Sequence, residues 1–381
     1  MEIGGEFEMR LADVERKKTL DLNSLFFSSG QAAIKTTLTF LLKEKKIDSF
    51  LLPNYLCGSI YEPFSELNLK VEFYEVTKDL RIDLDDLKKK LRRSQAIYLV
   101  DFFNVREPAS TIEFLRSIKN EKVIIEDRTH TIFNEETGLG HYELASLRKW
   151  MGVPSGAVLR VEDENERAEL EKLMVPFNSY PLIEKRLYGF ILKEKYLQDP
   201  SNESLKEIYL NLFKETEEIV SDQIIQLESI DALSKIIIET YDAAEMRKKR
   251  RDNYNFLYQS LSAVFGPSNI VSGKLTPADT PIGFVIFVQN RDRLKKELIK
   301  NKIYPPIHWP VPNVIRGLKM ENPLIIFSKI LTIPCDQRYS EKDMERIVEV
   351  IKAYYTHCEK DEELMNFNEV ETDKICAHGG I

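Results

Sequence analysis

The sequence predicts an α/β fold, with an open and mostly parallel β-sheet covered by helices on both faces and a smaller C-terminal α+β unit. In its first half, strand-like apolar segments alternate with segments that have helical apolar spacing, and this rhythm is typical of βαβ units. Some strand segments, such as residues 96–103, are almost continuously apolar, as parallel strands buried on both faces require.

The first helix is predicted to follow a short strand. An apolar strand at residues 25–27 precedes Ser28, Ser29 and Gly30. From Gln31 to residue 43 the apolar side chains recur three and four residues apart, which predicts a helix. The two serines and the glycine supply the N-cap chemistry with which such a helix begins.

The next elements continue the alternation. The remaining strands of the sheet are expected at residues 49–53, 71–76, 96–103, 122–127 and 156–160, with a further segment that ends at Ser146. The helices between them are expected near residues 60–67, 84–93 and 111–120.

The second half of the chain is mainly helical as far as residue 261. Strands are then expected at residues 283–290 and at the end of 324–336, and a helix at 341–355 closes the pattern. We therefore expect a large α/β domain over residues 1–245 and a small α+β domain over 246–358. The acidic segment 359–381 is expected to be a flexible tail.

Composition and charge exclude several classes of protein. Hydrophobic residues make up 43% of the 381 residues, charged residues 30%, and the net charge is −8. An acidic chain gives no reason to expect nucleic-acid binding, and the basic run at residues 246–254 is interpreted as a solvated helix face. No apolar stretch is long enough to span a bilayer, and no secretory signal is recognised, so a cytoplasmic protein without membrane association is expected.

The four cysteines do not predict a metal site or a disulfide framework. Cys57, Cys335, Cys358 and Cys376 lie far apart and form no Cys-x-x-Cys pair. We therefore expect no metal site.

Polar residues follow several predicted strands. They are Ser28–Gly30, Asp101–Asn104, Asp127 and Ser146–Lys149. Because ligands bind at the carboxyl ends of the strands in open parallel sheets, we expect these residues to converge on one crevice.

Asp127 and Lys149 suggest a particular cofactor. An acid after one strand and a lysine after the next can hold pyridoxal 5′-phosphate (PLP), in which the acid pairs with the pyridine nitrogen and the lysine forms the Schiff base. Two simpler interpretations stay open: Asp127 as a helix N-cap, and Lys149 as a surface lysine.

Other residues would complete such a site. Ser29, Gly30 and Gln31 at a helix N-terminus can bind a phosphate, and Ser146 can donate to it; the alternative for Ser28 and Ser29 is a plain helix N-cap, which serine forms often. His130 can bond the phenolic oxygen of the cofactor, or be a histidine at the edge of the core.

In the order of its motifs, the chain resembles fold type I PLP-dependent enzymes, and among them the DegT/DnrJ/StrS sugar aminotransferases. The motifs that carry the resemblance are SSGQAAI at 28–34, LLPNYLCGS at 51–59, EDRTH at 126–130, Lys149 with the loop to Gly156, YPPIH at 304–308, and LTIPCDQRYSEKDMERIVEVI at 331–351. The loop after Lys149 differs from the Gly-Glu-Gly-Gly usual in that family.

The resemblance implies roles for these residues. Lys149 would be the Schiff-base lysine and proton carrier, and His308 would lie on the substrate side. The cofactor-binding residues would be Ser29, Gly30, Gln31, Tyr55, Cys57, Asp127, His130 and Ser146, with Tyr55 or Cys57 against the face of the ring.

The implied activity is transfer of an amino group from an amino acid to a keto group; glutamate is the expected donor and a nucleotide-linked sugar the expected acceptor. The small-molecule substrates would be bound at the interface of a homodimer. Two alternatives stay open: PLP-dependent dehydration or related chemistry on a sugar or amino acid, and a catalytically inactive relative that acts as a binding protein.

Overall fold

The computed structural model describes residues 2–8, 24–222, 224–318 and 321–357. The tail expected at residues 359–381 lies outside the described residues. The strands in chain order are β1 Ile3–Gly4, β2 Leu25–Phe27, β3 Ser49–Pro53, β4 Lys70–Tyr74, β5 Ala96–Val100, β6 Val123–Asp127, β7 Tyr142–Ser146, β8 Ala157–Val161, β9 Phe284–Phe287, β10 Ile303–Tyr304 and β11 Ile330–Ile333.

Helices connect and cover these strands. In chain order they are α1 Gly30–Glu44, α2 Gly58–Glu66, α3 Leu84–Leu91, α4 Ala109–Ile118, α5 Glu164–Leu173, α6 Tyr180–Gln198, α7 Glu203–Asp222, α8 Ala232–Thr240, α9 Ala243–Phe265, α10 Arg291–Lys300, α11 Asn313–Arg316, α12 Glu321–Lys329 and α13 over residues 341–357. None of the described helices has both the length and the apolar character needed to cross a bilayer.

The central sheet has seven strands in the order β2-β8-β7-β6-β5-β3-β4. Strands β3, β4, β5, β6 and β7 are parallel to one another, whereas β8 runs antiparallel to both of its neighbours. The prediction of a mostly parallel sheet is therefore confirmed. The carboxyl ends of the parallel strands lie along one edge, which is where a site is expected.

Both faces of this sheet are buried. Successive side chains of a strand point to opposite faces, and in β2 and β8 they belong to two different apolar clusters. Leu25, Phe27 and Leu159 pack with one cluster, whereas Phe26 and Val158 pack with the other. This two-sided burial explains why the strand sequences are so apolar.

The smaller C-terminal unit has its own apolar core. Strands β9 and β11 are antiparallel, and α9, α10 and α13 contribute buried side chains to the same cluster. Strand β1 pairs in parallel with β10, so the start of the chain lies against this unit. Helix α9 begins at Ala243, so the boundary expected at residue 245 falls in its first turn, and the division into domains stays a prediction.

Candidate functional site

A cavity of about 390 Å³ lies where β6 and β7 end and α1 begins. Eight of the residues predicted for a site line it, and they come from four separate segments of the chain. They are Ser29, Gly30, Gln31, Cys57, Asp127, His130, Ser146 and Lys149.

The N-terminus of α1 forms one wall of this cavity. The Ser29 hydroxyl accepts a hydrogen bond from the Ala32 amide at 3.1 Å, which caps the helix. A methyl group in place of the Gly30 hydrogen would lie only 3.7 Å from Cβ of Ser146. The amides of Gly30 and Gln31 precede the first intrahelical hydrogen bond, so this wall can bind an anion.

Asp127 forms a second wall at the end of β6. The side chain is 5% exposed and accepts hydrogen bonds from the Tyr98 hydroxyl at 3.1 Å and from the Thr129 amide at 2.9 Å. Turns and irregular backbone, and no helix, follow Asp127 over residues 128–140, so its interpretation as a helix N-cap is wrong. A buried carboxylate with a free side toward a cavity can pair with a cationic ligand.

Lys149 lies in a short 3₁₀ turn that follows β7. Its side chain is half-buried, and Nζ lies 5.4 Å from the centroid of the Trp309 ring. Two hydrogen bonds to Thr129 fix the residues on either side of this turn. The Trp150 indole donates to the Thr129 carbonyl at 2.7 Å, and the Ser146 amide donates to the Thr129 hydroxyl at 3.1 Å. This lysine therefore faces the cavity rather than the open surface.

His130 is a buried histidine whose two ring nitrogens have no hydrogen-bond partner among the described residues. The ring stacks on Phe103 at a centroid distance of 4.2 Å and on Trp309 at 5.5 Å. Burial, the charge of Lys149 and the nearby His308 hold the pKa of His130 well below its usual range. Such a neutral ring offers the cavity one donor and one acceptor.

His308 reaches the same place from the C-terminal unit. Its ring centroid lies 5.5 Å from that of His130, and Nδ1 lies 2.7 Å from the Thr332 hydroxyl. Burial and the charge of Lys149 lower the pKa of His308 to about 3. His308 lines a second cavity that also contains Lys149.

Tyr55 lies behind the cavity wall and not in it. It is fully buried, its hydroxyl donates to the His308 carbonyl, and its ring packs 5.4 Å from that of Trp309. Cys57 does line the cavity, with Sγ 3.0 Å from the Ser59 hydroxyl. The aromatic ring nearest to Lys149 is Trp309, which the sequence did not identify.

The expected convergence of Asp101–Asn104 is only partly found. Phe103 stacks on His130, but Asp101 and Asn104 line a different cavity. There the Asp101 carboxylate lies 3.5 Å from Nε of Arg128 and accepts a hydrogen bond from the Thr131 hydroxyl. The prediction for Asp101 and Asn104 is therefore wrong, because a position after a strand does not determine to which side the residue points.

The residues of the first cavity fit PLP. The helix end suits a phosphate, the Asp127 carboxylate suits a protonated pyridine, the Lys149 amine suits an aldehyde, and the unpartnered His130 nitrogens suit a phenolic oxygen. In the described part of the chain, no three histidine, cysteine or acidic side chains are arranged to hold a metal ion.

Solved structures share this fold. A DegT DnrJ EryC1 StrS aminotransferase from Brucella abortus superposes with a TM-score of 0.60 at 15% identity, over 87% of this chain and 85% of that one. Helicobacter pylori PseC, an aminotransferase involved in the biosynthesis of pseudoaminic acid, superposes with a TM-score of 0.63 at 11% identity, over 93% of this chain and 99% of that one. Spr1654 from Streptococcus pneumoniae, in its PLP form, superposes with a TM-score of 0.63 at 12% identity, over 93% of this chain and 98% of that one.

These similarities confirm the predicted fold over nearly the whole chain. No family model matches the sequence, and no curated protein matches it. At identities of 11% to 15%, the comparison concerns the fold, and function has to be argued from the site.

Proposed function

We propose that this protein is a PLP-dependent aminotransferase, which moves an amino group from an amino acid donor, glutamate in the first instance, to a keto group on a nucleotide-linked sugar. The observation that carries the proposal is that Asp127 and Lys149 line one cavity with the N-terminus of α1. The fold of the aminotransferases from Brucella abortus and Helicobacter pylori supports it.

The cavity walls would hold the two ends of the cofactor. Gly30, Gln31 and Ser146 would bind the phosphate, since they lie together at the helix end. Asp127, already fixed by the Tyr98 hydroxyl and the Thr129 amide, would pair with the pyridine nitrogen. Bound in this way, PLP supplies an electron sink for the carbon that exchanges its amine.

Lys149 would carry the covalent link and then move the proton. A lysine amine can form a Schiff base with an aldehyde and can carry a proton once it is released. The Trp309 ring lies over Nζ and shields it from solvent. His130 would bond the phenolic oxygen, because it is a buried side chain of this cavity and both of its ring nitrogens lack partners among the described residues.

The test is covalent labelling with the cofactor. We expect the purified protein to acquire visible absorbance with PLP, and borohydride to fix the label on a single peptide that contains Lys149. Lys149→Ala should abolish the label. Lys172→Ala should retain it, because Lys172 is an exposed lysine paired with Glu169 on α5. Absence of label in the wild-type protein, or an equal label in Lys149→Ala, would overturn the proposal.

The substrates are tested by product analysis. Glutamate should convert the labelled form and release 2-oxoglutarate, and a panel of nucleotide-linked keto sugars should then yield an amino sugar. A dehydrated sugar without amine transfer would instead favour the alternative PLP chemistry.

We further propose a cytoplasmic homodimer that binds small molecules and neither nucleic acid nor membranes. Exposed apolar side chains on α6 and α7 support the dimer, since Tyr180 is 58% exposed, Tyr188 55% and Leu210 50%. Light scattering on the purified protein measures the oligomeric state, and a monomer would contradict this part of the proposal.

A further inference from the structure

A second cavity, of about 640 Å³, adjoins the first at Lys149. The two cavities share Ser146, Arg148, Lys149 and Trp309. The other walls of the second cavity come from the C-terminal unit and from residues 4–7. A ligand in the second cavity would therefore lie next to Lys149 without occupying the helix end that suits a phosphate.

Positive charge predominates on the walls of this second cavity. Five cationic side chains and two carboxylates are among the residues that line it: Arg148, Lys149, Arg250, Lys295, Arg338, Glu6 and Asp336. Such an excess of positive charge in a cleft favours an anionic ligand.

The cations differ in how far they are already engaged. Arg338 forms two hydrogen bonds with Asp336, at 2.7 and 2.9 Å, and Arg250 donates to Gln337 at 2.7 Å. In contrast, no hydrogen bond or ion pair in the described part of the chain engages the Lys295 ammonium. Arg148 has only a loose pair with Glu217 at 3.6 Å, and its buried Nε has no hydrogen-bond partner among the described residues.

The segment of residues 2–8 contributes a wall of this cavity through residues 4–7. Two buried cations hold their backbone: Lys193 donates to the Glu6 carbonyl, and Arg338 donates to the same carbonyl at 3.0 Å. At the other end, Lys206 pairs with Glu2 at 2.6 Å. The wall is therefore attached both to the C-terminal unit and to the helical pair α6 and α7.

We propose that the second cavity binds the anionic part of the compound that reacts at Lys149, with Lys295 and Arg148 as its contacts and residues 2–8 as its wall. The anionic group is a phosphate or a carboxylate, which a sugar acceptor or an amino acid donor would respectively supply. The proposal rests on the proposed function for the reaction itself, but the cavity can be tested without the cofactor.

Tryptophan fluorescence reports on this cavity. The chain has two tryptophans: Trp150 is fully buried, whereas Trp309 is 8% exposed and lines the cavity. In cofactor-free full-length protein, iodide should quench Trp309, and the Trp309→Phe variant should lose that response. Inorganic pyrophosphate and glutarate, neither of which can react at Lys149, are then titrated as competitors of iodide.

The matched variants are two neighbouring lysines on α10. Lys295 lines the second cavity, whereas Lys296 does not. We expect Lys295→Met to lower the affinity for the competing anion about tenfold, because one charged contact is lost. Lys296→Met should leave this affinity unchanged. Protection by pyrophosphate alone identifies a phosphate-bearing ligand, and protection by glutarate alone a carboxylate. Absence of protection by either anion, or equal effects of the two variants, would overturn the proposal.

The wall is tested with lysines on α6. Lys193→Met removes the hydrogen bond to the Glu6 carbonyl without changing a cavity-lining residue. Glu2→Gln removes the ion pair with Lys206 at the other end of the segment. Both should raise the iodide quenching constant of Trp309 severalfold, while Lys185→Met, which removes a surface pair with Glu215, should not. If a variant with a wild-type melting temperature shows unchanged quenching, residues 2–8 are not the wall. Because the quenching measurements omit PLP, they test the second cavity even if the PLP-labelling test of the proposed function fails.

Discussion

At the scale of single residues, the most constrained group is the Asp127 carboxylate. It is buried, and the Tyr98 hydroxyl and the Thr129 amide hold its two oxygens. Burial, followed by the adjacent charge of Asp127, raises the pKa of Tyr98 well above its usual range, so the phenol stays a donor. The carboxylate is thus fixed before any ligand binds, which reduces the free-energy cost of pairing with a cation.

We predict that Asp127→Asn lowers PLP affinity by about 10- to 100-fold, because a charged hydrogen bond is worth about 1.5–3 kcal/mol. The amide can still accept from the Thr129 amide, so the turn should persist. Fluorescence titration with PLP measures the effect. Asp101→Asn is the control, since that acid lines a different cavity. Equal losses of affinity in the two variants would count against pairing of Asp127 with the pyridine nitrogen.

At the scale of elements, β6 separates two environments. Asp127 faces the candidate site, whereas Glu126 and Arg128 line the cavity on the other side. Glu126 accepts hydrogen bonds from the amides of Leu139 and Gly140, at 2.5 and 2.7 Å. Burial, and then the charge of Asp101, raise the pKa of Glu126. One strand therefore carries both the candidate acid of the site and a buried acid that favours its protonated form.

We predict that Glu126→Gln stabilises the protein more at pH 9 than at pH 5. Folded Glu126 retains a proton that the unfolded chain releases above about pH 4.3, so the contribution of Glu126 to stability declines as pH rises toward its folded pKa of about 8, by up to about 1.4 kcal/mol per pH unit. Glutamine does not titrate and can accept the same two amide hydrogen bonds. Urea unfolding of both proteins at the two pH values measures the difference, and an equal effect at both would contradict the argument.

The sequence was informative wherever apolar runs determine elements. Strand β3 is found at its predicted residues 49–53. Asp127 and Lys149 line one cavity, as their positions after neighbouring strands predicted. Helix α12, which precedes β11, was not predicted, because a short apolar run fits a buried helix as well as a strand. Trp309 was missed because its contact with Lys149 joins residues 160 positions apart through packing of the C-terminal unit.

At the scale of the whole molecule, the C-terminal unit closes the site with two aromatic groups. His308 and Trp309 pack against His130 and lie beside Lys149. Two uncharged histidines, His130 buried and His308 half-buried, lie next to a lysine and form a region in which an additional proton is unfavourable. The site is thus also the place where acid should weaken the fold.

We predict that the contribution of His308 to stability falls as pH drops below about 6.5, the ordinary histidine value. In that range the unfolded chain binds protons that folded His308, with its pKa of about 3, does not bind. Each such histidine therefore costs up to about 1.4 kcal/mol per pH unit between pH 6.5 and its folded pKa. His308→Gln should flatten this dependence in urea unfolding at pH 7.5 and pH 5, whereas His357→Gln, at an exposed position of α13, should not. An unchanged slope in His308→Gln would show that the neutral state of His308 does not limit stability in acid.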